Sequence, residues 1–378
     1  MRILHVVTAH TPDNAFGGPM RVAVNICTGL QRRGHDVEIL AMSLDVAEPL
    51  PTHIDAVSAR LFAGRRVAPG GGFSGLAAPA LLRWARANLA RYDIIHTHLA
   101  RDLVTLPVAR LAQRAAVPTV IQTHGMVDAS PRISARVLDS IATRKALTSA
   151  SAVLHLTEHE RVALGEVAAL DPSRVHRLPN GVPAQKPVAR AEGRPAVLFL
   201  GRLHPRKRPE NVVRVAALLR DRGIDADVVI AGPDEGALRA TLELIAREGL
   251  QHSVAYLGGV DHERALELMR QAHVFLLPSI DEPFPMSVLE ALSVGLPAVI
   301  TTSNGLASDI RDSGAGRVTS SDASDLATAV GELLDPRANA VASAAAIEAV
   351  RTRFNLDHVV DQVEELYLDL IVAKSKSR

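Results

Sequence analysis

The sequence predicts an α/β protein with doubly wound parallel sheets, divided into two domains. Short apolar runs alternate with amphipathic segments along almost all of the 378 residues. The runs lack interleaved polar residues, which is typical of parallel strands buried on both faces and joined by crossover helices. The chain is also too long for one core, because domains usually hold about 100–200 residues. With 47% hydrophobic and 22% charged residues, it can bury two sizeable cores and is not a disordered protein.

Nine apolar runs are predicted strands. They lie at residues 3–7, 37–41, 93–96, 119–122, 152–156, 197–200, 227–231, 274–277 and 298–301. Apolar residues recur at spacings of three and four between these runs, most clearly at 20–33, 101–114 and 212–222, and this periodicity predicts helices. Residues 356–373 are predicted to form a further amphipathic helix after the last strand.

A break in composition separates the two predicted domains. The segment Pro179-Asn-Gly-Val-Pro183 contains two prolines and an Asn-Gly turn, which disfavour both helix and strand. The polar residues 184–195 that follow show no periodicity, and then a new strand begins. We therefore predict one domain at 1–183 and a second at 184–355.

Charge and aromatic content argue against a nucleic-acid partner. The formal net charge is +1, so there is no global field that attracts polyanions. Aromatic residues make up 3% of the chain, too few for a surface of stacked rings that binds single strands. Any cationic site must therefore be local.

Cysteine content and hydropathy predict a cytoplasmic protein. The single cysteine, Cys27, cannot form an intrachain disulfide and lies in an apolar helical pattern, which favours a buried structural thiol. The first eight residues are too short and polar for a signal peptide, and no apolar run approaches the ~20 residues that span a bilayer. Peripheral contact with the inner membrane face would use four arginines near apolar residues, although an ordinary solvated surface is the favoured interpretation: Arg65, Arg66, Arg83 and Arg86.

The segment from Glu282 to Glu290 carries the main functional signal. It follows a predicted strand, and open α/β sheets place ligands at the carboxyl ends of their strands. Because Pro283 and Pro285 are incompatible with a helix interior, Glu282 is expected on a loop and the next helix near Met286. The sequence thus predicts a helix N-terminus at a ligand-binding edge.

This predicted helix start is suited to a phosphate group. The N–H groups of Met286, Ser287 and Val288 have no acceptor within a helix that begins here, and they point out of its positive end. The flanking carboxylates of Glu282 and Glu290 accept hydrogen bonds from hydroxyl groups. A nucleotide sugar, with phosphates between two hydroxyl-rich rings, fits this combination. On spacing alone, a plain strand–turn–helix with two incidental acids fits equally well.

The same segment resembles the Glu-x7-Glu signature of retaining glycosyltransferases with the GT-B fold, family 4 in particular. The resemblance continues through residues 290–299 and extends to nearly the entire chain. It implies that Glu282 contacts hydroxyls of the transferred sugar and that Glu290 contacts the ribose hydroxyls. Pro285 stands where the family most often has Gly, and a proline there removes one backbone N–H from the donor loop.

The resemblance also implies the domain roles. Two facing Rossmann-like domains with a central cleft are expected. Residues 1–183 would bind the acceptor and would be completed by a C-terminal helix at about 356–378. Residues 184–355 would bind the nucleotide-sugar donor. A hinge near Pro183 would allow domain closure, which brings the reacting groups together.

A loop with four basic residues follows the first strand of the second domain. Gly201 permits a tight turn there, and Arg206 and Arg208 are expected to be solvated. Arg202 and Lys207 match the family's Gly-Arg-Leu…Lys pattern, which implies that both cations bind the donor diphosphate. Arginine supplies a bidentate fork and lysine a mobile point charge, and together they stabilise the departing nucleotide.

Two glycines and a histidine follow strands of the first domain. Gly17 and Gly18 precede Pro19, which suits the first position of a helix. The resemblance implies that this glycine loop closes over the donor phosphate. It also implies that His124, in Gln122-Thr-His-Gly125, lies beside the transferred sugar and donates to its hydroxyl.

Two further patterns resemble metal sites but are not interpreted as such. His96 and His98 end a strand without an evident acidic third ligand, so we assign them as candidate acceptor-side residues. Asp225 and Asp227 precede a strand and are expected to lie far from the site. Since a helix end and two cations already neutralise a diphosphate, no metal and no other cofactor are expected.

These observations predict a metal-independent, retaining glycosyltransferase of bacterial glycan or glycoconjugate synthesis. It would move a hexose from a UDP- or GDP-sugar to a carbohydrate, lipid-linked or small-molecule acceptor. His124 and Glu282 are the expected catalytic residues. The expected donor contacts are Gly17, Gly18, Arg202, Lys207, Pro285, Met286, Ser287, Val288 and Glu290. Two alternatives stay open: a GT-B nucleotide-sugar epimerase or phosphorylase, and a non-catalytic protein that binds sugar nucleotides.

Overall fold

A computed structural model describes most of the chain and divides it into two compact units. The described residues are 1–11, 17–44, 46, 48–67, 75–130, 133–185 and 193–376. The first unit comprises Met1–Gly181 together with Leu356–Arg378, and the second comprises Val182–Asn355. Both contain a predominantly parallel sheet with helices, so the α/β prediction is confirmed.

The first unit contains an eight-stranded sheet and a separate two-stranded ribbon. Its strands are β1 (Arg2–His10), β2 (Asp36–Ser43), β3 (His53–Ile54), β4 (Val57–Ala63), β5 (Arg65–Arg66), β6 (Leu76–Ala77), β7 (Ile94–His98), β8 (Thr119–Gln122), β9 (Ala152–His155) and β10 (Val175–Arg177). The large sheet has the order β10-β9-β8-β7-β1-β2-β4-β3 and is parallel except for β3. The chain runs from β1 to one side and then from β7 to the other, so the topological switch point lies between β1 and β7.

Helices alternate with these strands along the first part of the chain. They are α1 (Gly17–Arg32), α2 (Pro79–Asn88), α3 (Thr105–Arg114), α4 (Ile133–Leu138), α5 (Arg144–Thr148) and α6 (Glu158–Val167). Helix α1 begins at Gly17, two residues before Pro19, the residue that the sequence favoured as its first position. Pro19 does not prevent this, because the first four N–H groups of a helix have no partner within it and one of them can be lost without cost.

The second unit has a six-stranded, fully parallel sheet. Its strands are β11 (Ala196–Leu200), β12 (Asp227–Ala231), β13 (Val254–Tyr256), β14 (Val274–Leu277), β15 (Ala298–Thr301) and β16 (Gly316–Thr319). Its helices are α7 (Pro209–Asp221), α8 (Leu238–Arg247), α9 (His262–Gln271), α10 (Met286–Ser293), α11 (Ala307–Ser313), α12 (Ala323–Leu334) and α13 (Pro336–Arg353). The order β13-β12-β11-β14-β15-β16 places the switch point between β11 and β14.

All nine predicted strands are present, and the central ones are buried on both faces. Every residue of β8, β9, β14 and β15 is buried. Among the described residues, sequence patterns did not identify β3, β4, β5, β6, β10, β13 and β16. Six of these strands have two to four residues, and such short runs give little periodic signal, whereas β4 has seven residues and lies next to the edge strand β3.

The chain ends in a long helix that packs on the first unit. Helix α14 (Leu356–Lys376) lies so close to α1 that a Cβ added to Gly29 would be 2.5 Å from Cγ2 of Val360. Glu364 of α14 accepts from Arg33 at 2.7 Å and pairs with His35 at 2.6 Å. Tyr367 is completely buried. The amphipathic helix predicted at 356–373 is therefore present.

The helices, the single cysteine and four arginines bear on the expectations about membrane contact and the thiol. Among the described residues, no helix is long and apolar enough to cross a membrane. Cys27 is buried, and burial raises the pKa of its thiol well above the usual value. Four arginines considered for contact with lipid are exposed: Arg65, Arg66, Arg83 and Arg86.

Candidate functional site

Loops after β11, β14 and β15 meet at the carboxyl edge of the second sheet. The Ile280 N–H donates to the Arg206 carbonyl at 2.9 Å, which joins the loop after β14 to the loop after β11. The Arg206 guanidinium donates to the Asp281 carbonyl, so this exposed arginine connects two loops although the sequence indicated a merely solvated charge. The Gly305 N–H donates to the Glu282 carbonyl at 2.8 Å and adds the loop after β15. These loops surround the switch point, where open α/β sheets bind ligands.

Lys207 and Glu282 form an ion pair at this switch point. Lys207 Nζ lies 2.6 Å from Glu282 Oε2, and the two side chains are 15% and 13% exposed. Lys207 ends a short 3₁₀ turn, Pro205–Lys207, whose first residues are fixed because His204 Nδ1 accepts from the Arg206 N–H at 3.1 Å. The structure thus brings together one predicted cation and one predicted carboxylate.

Arg202 is paired with a carboxylate that the sequence analysis did not identify. Its Nη1 donates to both carboxylate oxygens of Glu235, at 2.8 and 2.7 Å. Glu235 lies in the loop after β12, next to the strand that leads to Arg202. The sequence could have indicated Glu235, because Gly232-Pro-Asp-Glu235 directly follows a predicted strand and ligand-site residues gather at strand ends. Both predicted diphosphate cations therefore have an acidic partner.

A close backbone approach fixes the loop after β12 against the loop after β11. Gly232 has a φ of +145°. A Cβ at this position would lie 2.0 Å from the Gly201 carbonyl oxygen. The Leu203 N–H donates to the Pro233 carbonyl at 2.8 Å, and the Glu235 N–H donates to the Leu203 carbonyl at 3.1 Å. Only glycine fits at position 232, and this contact sets the separation of Arg202 and Glu235.

Helix α10 begins at Met286, as the prolines predicted, with Pro285 as its N-cap residue in an extended conformation. The expectation of three free N–H groups needs correction, because the Val288 N–H donates to the Pro285 carbonyl at 3.2 Å. This i→i+3 bond tightens the first turn. Within the described parts of the chain, the N–H groups of Met286 and Ser287 have no acceptor. Two N–H groups, rather than three, are therefore available to an anion.

Glu290 lies in the second turn of α10 and is largely buried. Its Oε1 is 3.7 Å from Nδ1 of His262, the first residue of α9, and its side chain is 13% exposed. Glu290 and Glu282 thus lie on the helix and on the preceding loop, with the helix N-terminus between them in sequence.

In the first unit, His124 lies two residues after the end of β8, in a loop whose backbone is bound by the Glu160 carboxylate. Glu160 Oε1 accepts from the Thr123 hydroxyl and from the Gly125 N–H, both at 2.5 Å. Glu160 Oε2 accepts from the Leu156 N–H at 2.7 Å. This buried carboxylate, which the sequence analysis did not identify, fixes the backbone on both sides of His124.

His124 is one of four histidines in contact, of which His5 lies within β1, His96 and His98 lie in β7, and His124 follows β8. His5 Nδ1 lies 3.0 Å from His98 Nε2, and His98 Nδ1 lies 2.7 Å from His124 Nε2. Burial lowers the pKa of His5 and of His124 to about 3, and that of His96 and His98 well below the usual value, so all four rings are neutral near pH 7. The assignment of His96 and His98 to the acceptor side is wrong, because both are 0% exposed.

Three histidines of this cluster bring ring nitrogens together. One ring nitrogen each of His5, His96 and His98 lies within 4.8 Å of the other two, and His5 Nδ1 and His98 Nε2 are in hydrogen-bond contact at 3.0 Å. His5, which pairs with His96 across the two strands, was not recognised in the sequence as part of this cluster.

Backbone strain marks the same positions. Arg208, Asp281 and His124 have φ values of 53°, 49° and 53°. Arg208 directly follows Lys207, and Asp281 directly precedes Glu282. Positive φ is costly for residues other than glycine, and such strain gathers at functional sites. Three of the five described non-glycine residues with positive φ thus lie at or beside predicted site residues, whereas Asp55 and Ala116 lie elsewhere.

Gly17 and Gly18 lie in the first turn of α1. A Cβ added to Gly18 would meet no atom within 4 Å, so the packing of the described residues does not require glycine there. Ala15 and Phe16, which precede the glycines in the predicted loop, lie outside the described residues.

The acidic pair Asp225 and Asp227 lies at the opposite edge of the second sheet. Asp227 begins β12, and both carboxylates pair with Arg194, at 2.7 and 3.1 Å. Their position before the strand agrees with the sequence interpretation that they take no part in the site.

Two family models together match most of the chain. The model described as Glycosyltransferase Family 4 matches residues 16–186. The model described as Glycosyl transferases group 1 matches residues 183–349.

Curated proteins with similar sequences are glycosyltransferases. D-inositol 3-phosphate glycosyltransferase of Nocardia farcinica is 29% identical over 378 aligned positions, which cover 88% of this chain and 81% of that protein. Alpha-D-kanosaminyltransferase of Streptomyces kanamyceticus is 32% identical over 278 positions, which cover 67% of this chain and 71% of that protein.

Solved structures share the fold at low sequence identity. Sucrose-phosphate synthase of Thermosynechococcus elongatus matches with a TM-score of 0.79 and 20% identity, over 99% of this chain and 100% of that chain. The Anabaena protein HepE in complex with UDP-glucose matches with a TM-score of 0.76 and 18% identity, over 97% of this chain and 98% of that chain.

Proposed function

Since the chain belongs to the family 4 glycosyltransferases and has the GT-B fold, we propose that it moves a hexose from a UDP- or GDP-sugar to an acceptor with retention of anomeric configuration. The acceptor would be a carbohydrate, a lipid-linked sugar or a small molecule. Transfer activity itself follows from family membership, whereas the donor, the stereochemistry and the acceptor are the proposal.

The observation that carries the proposal is the pairing of Lys207 with Glu282 beside the start of α10. The 2.6 Å contact holds an ammonium group and a carboxylate at the sheet's switch point. The free N–H groups of Met286 and Ser287 add the positive end of a helix. A cation, two N–H donors and a carboxylate acceptor match the phosphate and hydroxyl groups of a sugar diphosphate.

In the proposed reaction, the protein stabilises the leaving diphosphate. Lys207 and Arg202 would contact the phosphate oxygens, and negative charge on those oxygens increases as the sugar departs. Glu282, already bound to Lys207, would accept a hydrogen bond from a sugar hydroxyl rather than attack the anomeric carbon. The leaving phosphate would assist attack from the same face, which retains the anomeric configuration. In the first unit, His124 would contact the transferred sugar.

We propose that this charge stabilisation needs no divalent metal. Arg202 and Lys207 supply two positive charges, and the α10 N-terminus adds a partial one. Their partners Glu235 and Glu282 offset part of that charge. A bound diphosphate would therefore compete with Glu235 for Arg202 and with Glu282 for Lys207. Mutation of Lys207 tests this proposal most directly.

The proposal is tested by donor screening followed by transfer. Thermal shift with a panel of UDP- and GDP-sugars identifies the donor. D-inositol 3-phosphate, named in the Nocardia farcinica relative, is the first acceptor to assay. NMR of the product then reports the anomeric configuration, and a parallel reaction with EDTA tests metal dependence. Inverted product, or transfer abolished by EDTA and restored by a divalent ion, would contradict the corresponding part of the proposal.

A further inference from the structure

A chain of buried hydrogen bonds connects helix α14 to His124. The Tyr367 hydroxyl lies 2.6 Å from His96 Nδ1 and 3.3 Å from His5 Nε2. From His5 the chain continues to His98 at 3.0 Å and then to His124 at 2.7 Å. Tyr367, His5, His96 and His98 are all 0% exposed, and the contact between His98 and His124 is partly buried.

Neutral rings make this chain directional. A neutral imidazole has one N–H donor and one lone-pair acceptor, and therefore the proton of one ring decides the tautomer of the next. Burial keeps the rings neutral, because it lowers the pKa of His5 and of His124 to about 3. Only two self-consistent arrangements exist, one running away from Tyr367 and one running toward it.

The distances at Tyr367 favour the arrangement that runs toward it. Its hydroxyl has one proton, and hydrogen bonds donated by O–H are shorter than those donated by N–H. The 2.6 Å contact is thus O–H donating to His96 Nδ1, and the 3.3 Å contact is His5 Nε2–H donating to the phenol oxygen.

We propose that the chain Tyr367–His5–His98 fixes His124 as the Nε2–H tautomer, with Nδ1 as a hydrogen-bond acceptor. His5 Nδ1 accepts from His98 Nε2–H, and His98 Nδ1 accepts from His124 Nε2–H. This inference rests on the proposed contact of His124 with the transferred sugar. It makes His124 accept from a sugar hydroxyl, whereas family resemblance implied that His124 donates.

Tyr367, His5 and His98 are accordingly positioning residues for the His124 ring. Glu160 is a positioning residue for the His124 backbone. Its carboxylate holds Thr123 and Gly125, the two neighbours of His124. His124 adopts a φ of 53°, which a free loop would rarely keep. The backbone and the ring are thus fixed by different elements, α6 and α14.

The direct test is NMR of protein labelled with ¹⁵N-histidine, in which ring nitrogen shifts distinguish the two neutral tautomers. In the wild-type protein we expect His5, His98 and His124 all to be Nε2–H. In Tyr367→Phe, the buried His5 N–H loses its acceptor. We expect the chain to reverse, so that His124 becomes Nδ1–H. A wild-type spectrum with Nδ1–H at His124, or an unchanged tautomer in Tyr367→Phe, would overturn the proposal.

Kinetics add a readout that a loss of stability would not produce. We expect Tyr367→Phe to lower kcat by about 10-fold while the KM for donor stays unchanged, because only the hydrogen bond to the reacting sugar is altered. Val363→Ala is the matched control, since Val363 is another completely buried residue of α14. This control loses packing but keeps the hydroxyl, so it should lower Tm without changing the tautomers or kcat.

The inference and the proposed function can fail separately. Reversed tautomers together with a lower kcat support both. Reversed tautomers with an unchanged kcat support the hydrogen-bond chain and contradict the sugar contact of His124. If Tyr367→Phe does not fold, the wild-type spectrum still decides the direction of the chain.

Discussion

Lys207 Nζ and Glu282 Oε2 are 2.6 Å apart although the two residues follow different strands, β11 and β14. The switch point of the sheet lies between these strands, so their loops extend side by side. The pair gives the site a cation and an acceptor in fixed relation before any ligand binds.

Lys207→Ala should weaken donor binding by at least about 10-fold. The substitution removes a charge-assisted bond to phosphate, and it leaves Glu282 unpaired and repelling the anion. Calorimetric titration with the donor found in the thermal-shift screen measures the change in Kd. Lys145→Ala, at an exposed lysine of the first unit, is the control and should leave the Kd unchanged. Full affinity and full activity in Lys207→Ala would refute the phosphate assignment.

Glu290→Ala should reduce the affinity for a nucleoside diphosphate through the ribose. Its side chain is 13% exposed and lies on α10 near the proposed phosphate position, where ribose hydroxyls would be in reach. Losing a hydrogen bond to a charged group costs about 1.5–3 kcal/mol. The comparison is between UDP or GDP and its 2′,3′-dideoxy analogue. The wild-type protein should prefer the hydroxylated nucleotide, and the variant should bind both alike. If Glu290→Ala still prefers the hydroxylated nucleotide over the dideoxy analogue to the same extent, Glu290 does not contact the ribose.

Gly232→Ala should destabilise the second unit strongly. The new Cβ would lie 2.0 Å from the Gly201 carbonyl oxygen, so the loops that carry Arg202 and Glu235 must separate. Gly236→Ala is a matched control, because Gly236 also has a positive φ, +99°, but no atom lies within 4 Å of its added Cβ. Urea unfolding should show a cost of about 1–2 kcal/mol for the control, from backbone strain alone, and a clearly larger cost for Gly232→Ala. Equal costs would show that the close contact relaxes freely.

Acid should destabilise the first unit before it affects carboxylate pairs. Burial lowers the pKa of His5 from 6.5 to about 3, so its stabilising effect is complete above pH 6.5 and is lost as the pH falls toward 3. The unfolded chain binds the proton first, which costs about 1.4 kcal/mol per pH unit for each such histidine. His96 and His98 act in the same direction.

Fluorescence of Trp84, the only tryptophan of the chain, reports unfolding of the first unit in urea at pH 7.5 and pH 5.5. We expect a lower free energy of unfolding at pH 5.5, and a smaller difference between the two pH values in His5→Gln. His252→Gln, at an exposed histidine of the second unit, should leave that difference unchanged. A free energy independent of pH would mean that these rings bind protons in the folded protein as readily as in the unfolded chain.

Local patterns in the sequence were sufficient for the nine main strands and for part of the site. Apolar runs predicted the nine main strands, because residues buried on both faces of a sheet leave a continuous signal. Pro283 and Pro285 placed the start of α10 at Met286, since proline excludes a helix interior. Strand-end positions also singled out Lys207, Glu282 and His124, all of which lie in or beside strained loops.

Only the tertiary structure decided which of these groups meet. Arg202 with Glu235 and Lys207 with Glu282 are joined by strand order and register, and periodicity within one segment carries no information about a neighbouring strand. His96 and His98, which the sequence suggested as acceptor contacts, are completely buried in the structure. They belong to an internal network of hydrogen bonds with His5 and Tyr367. Elements and motifs follow from local rules of chain geometry, whereas pairing and protonation depend on contacts between segments that are distant along the chain.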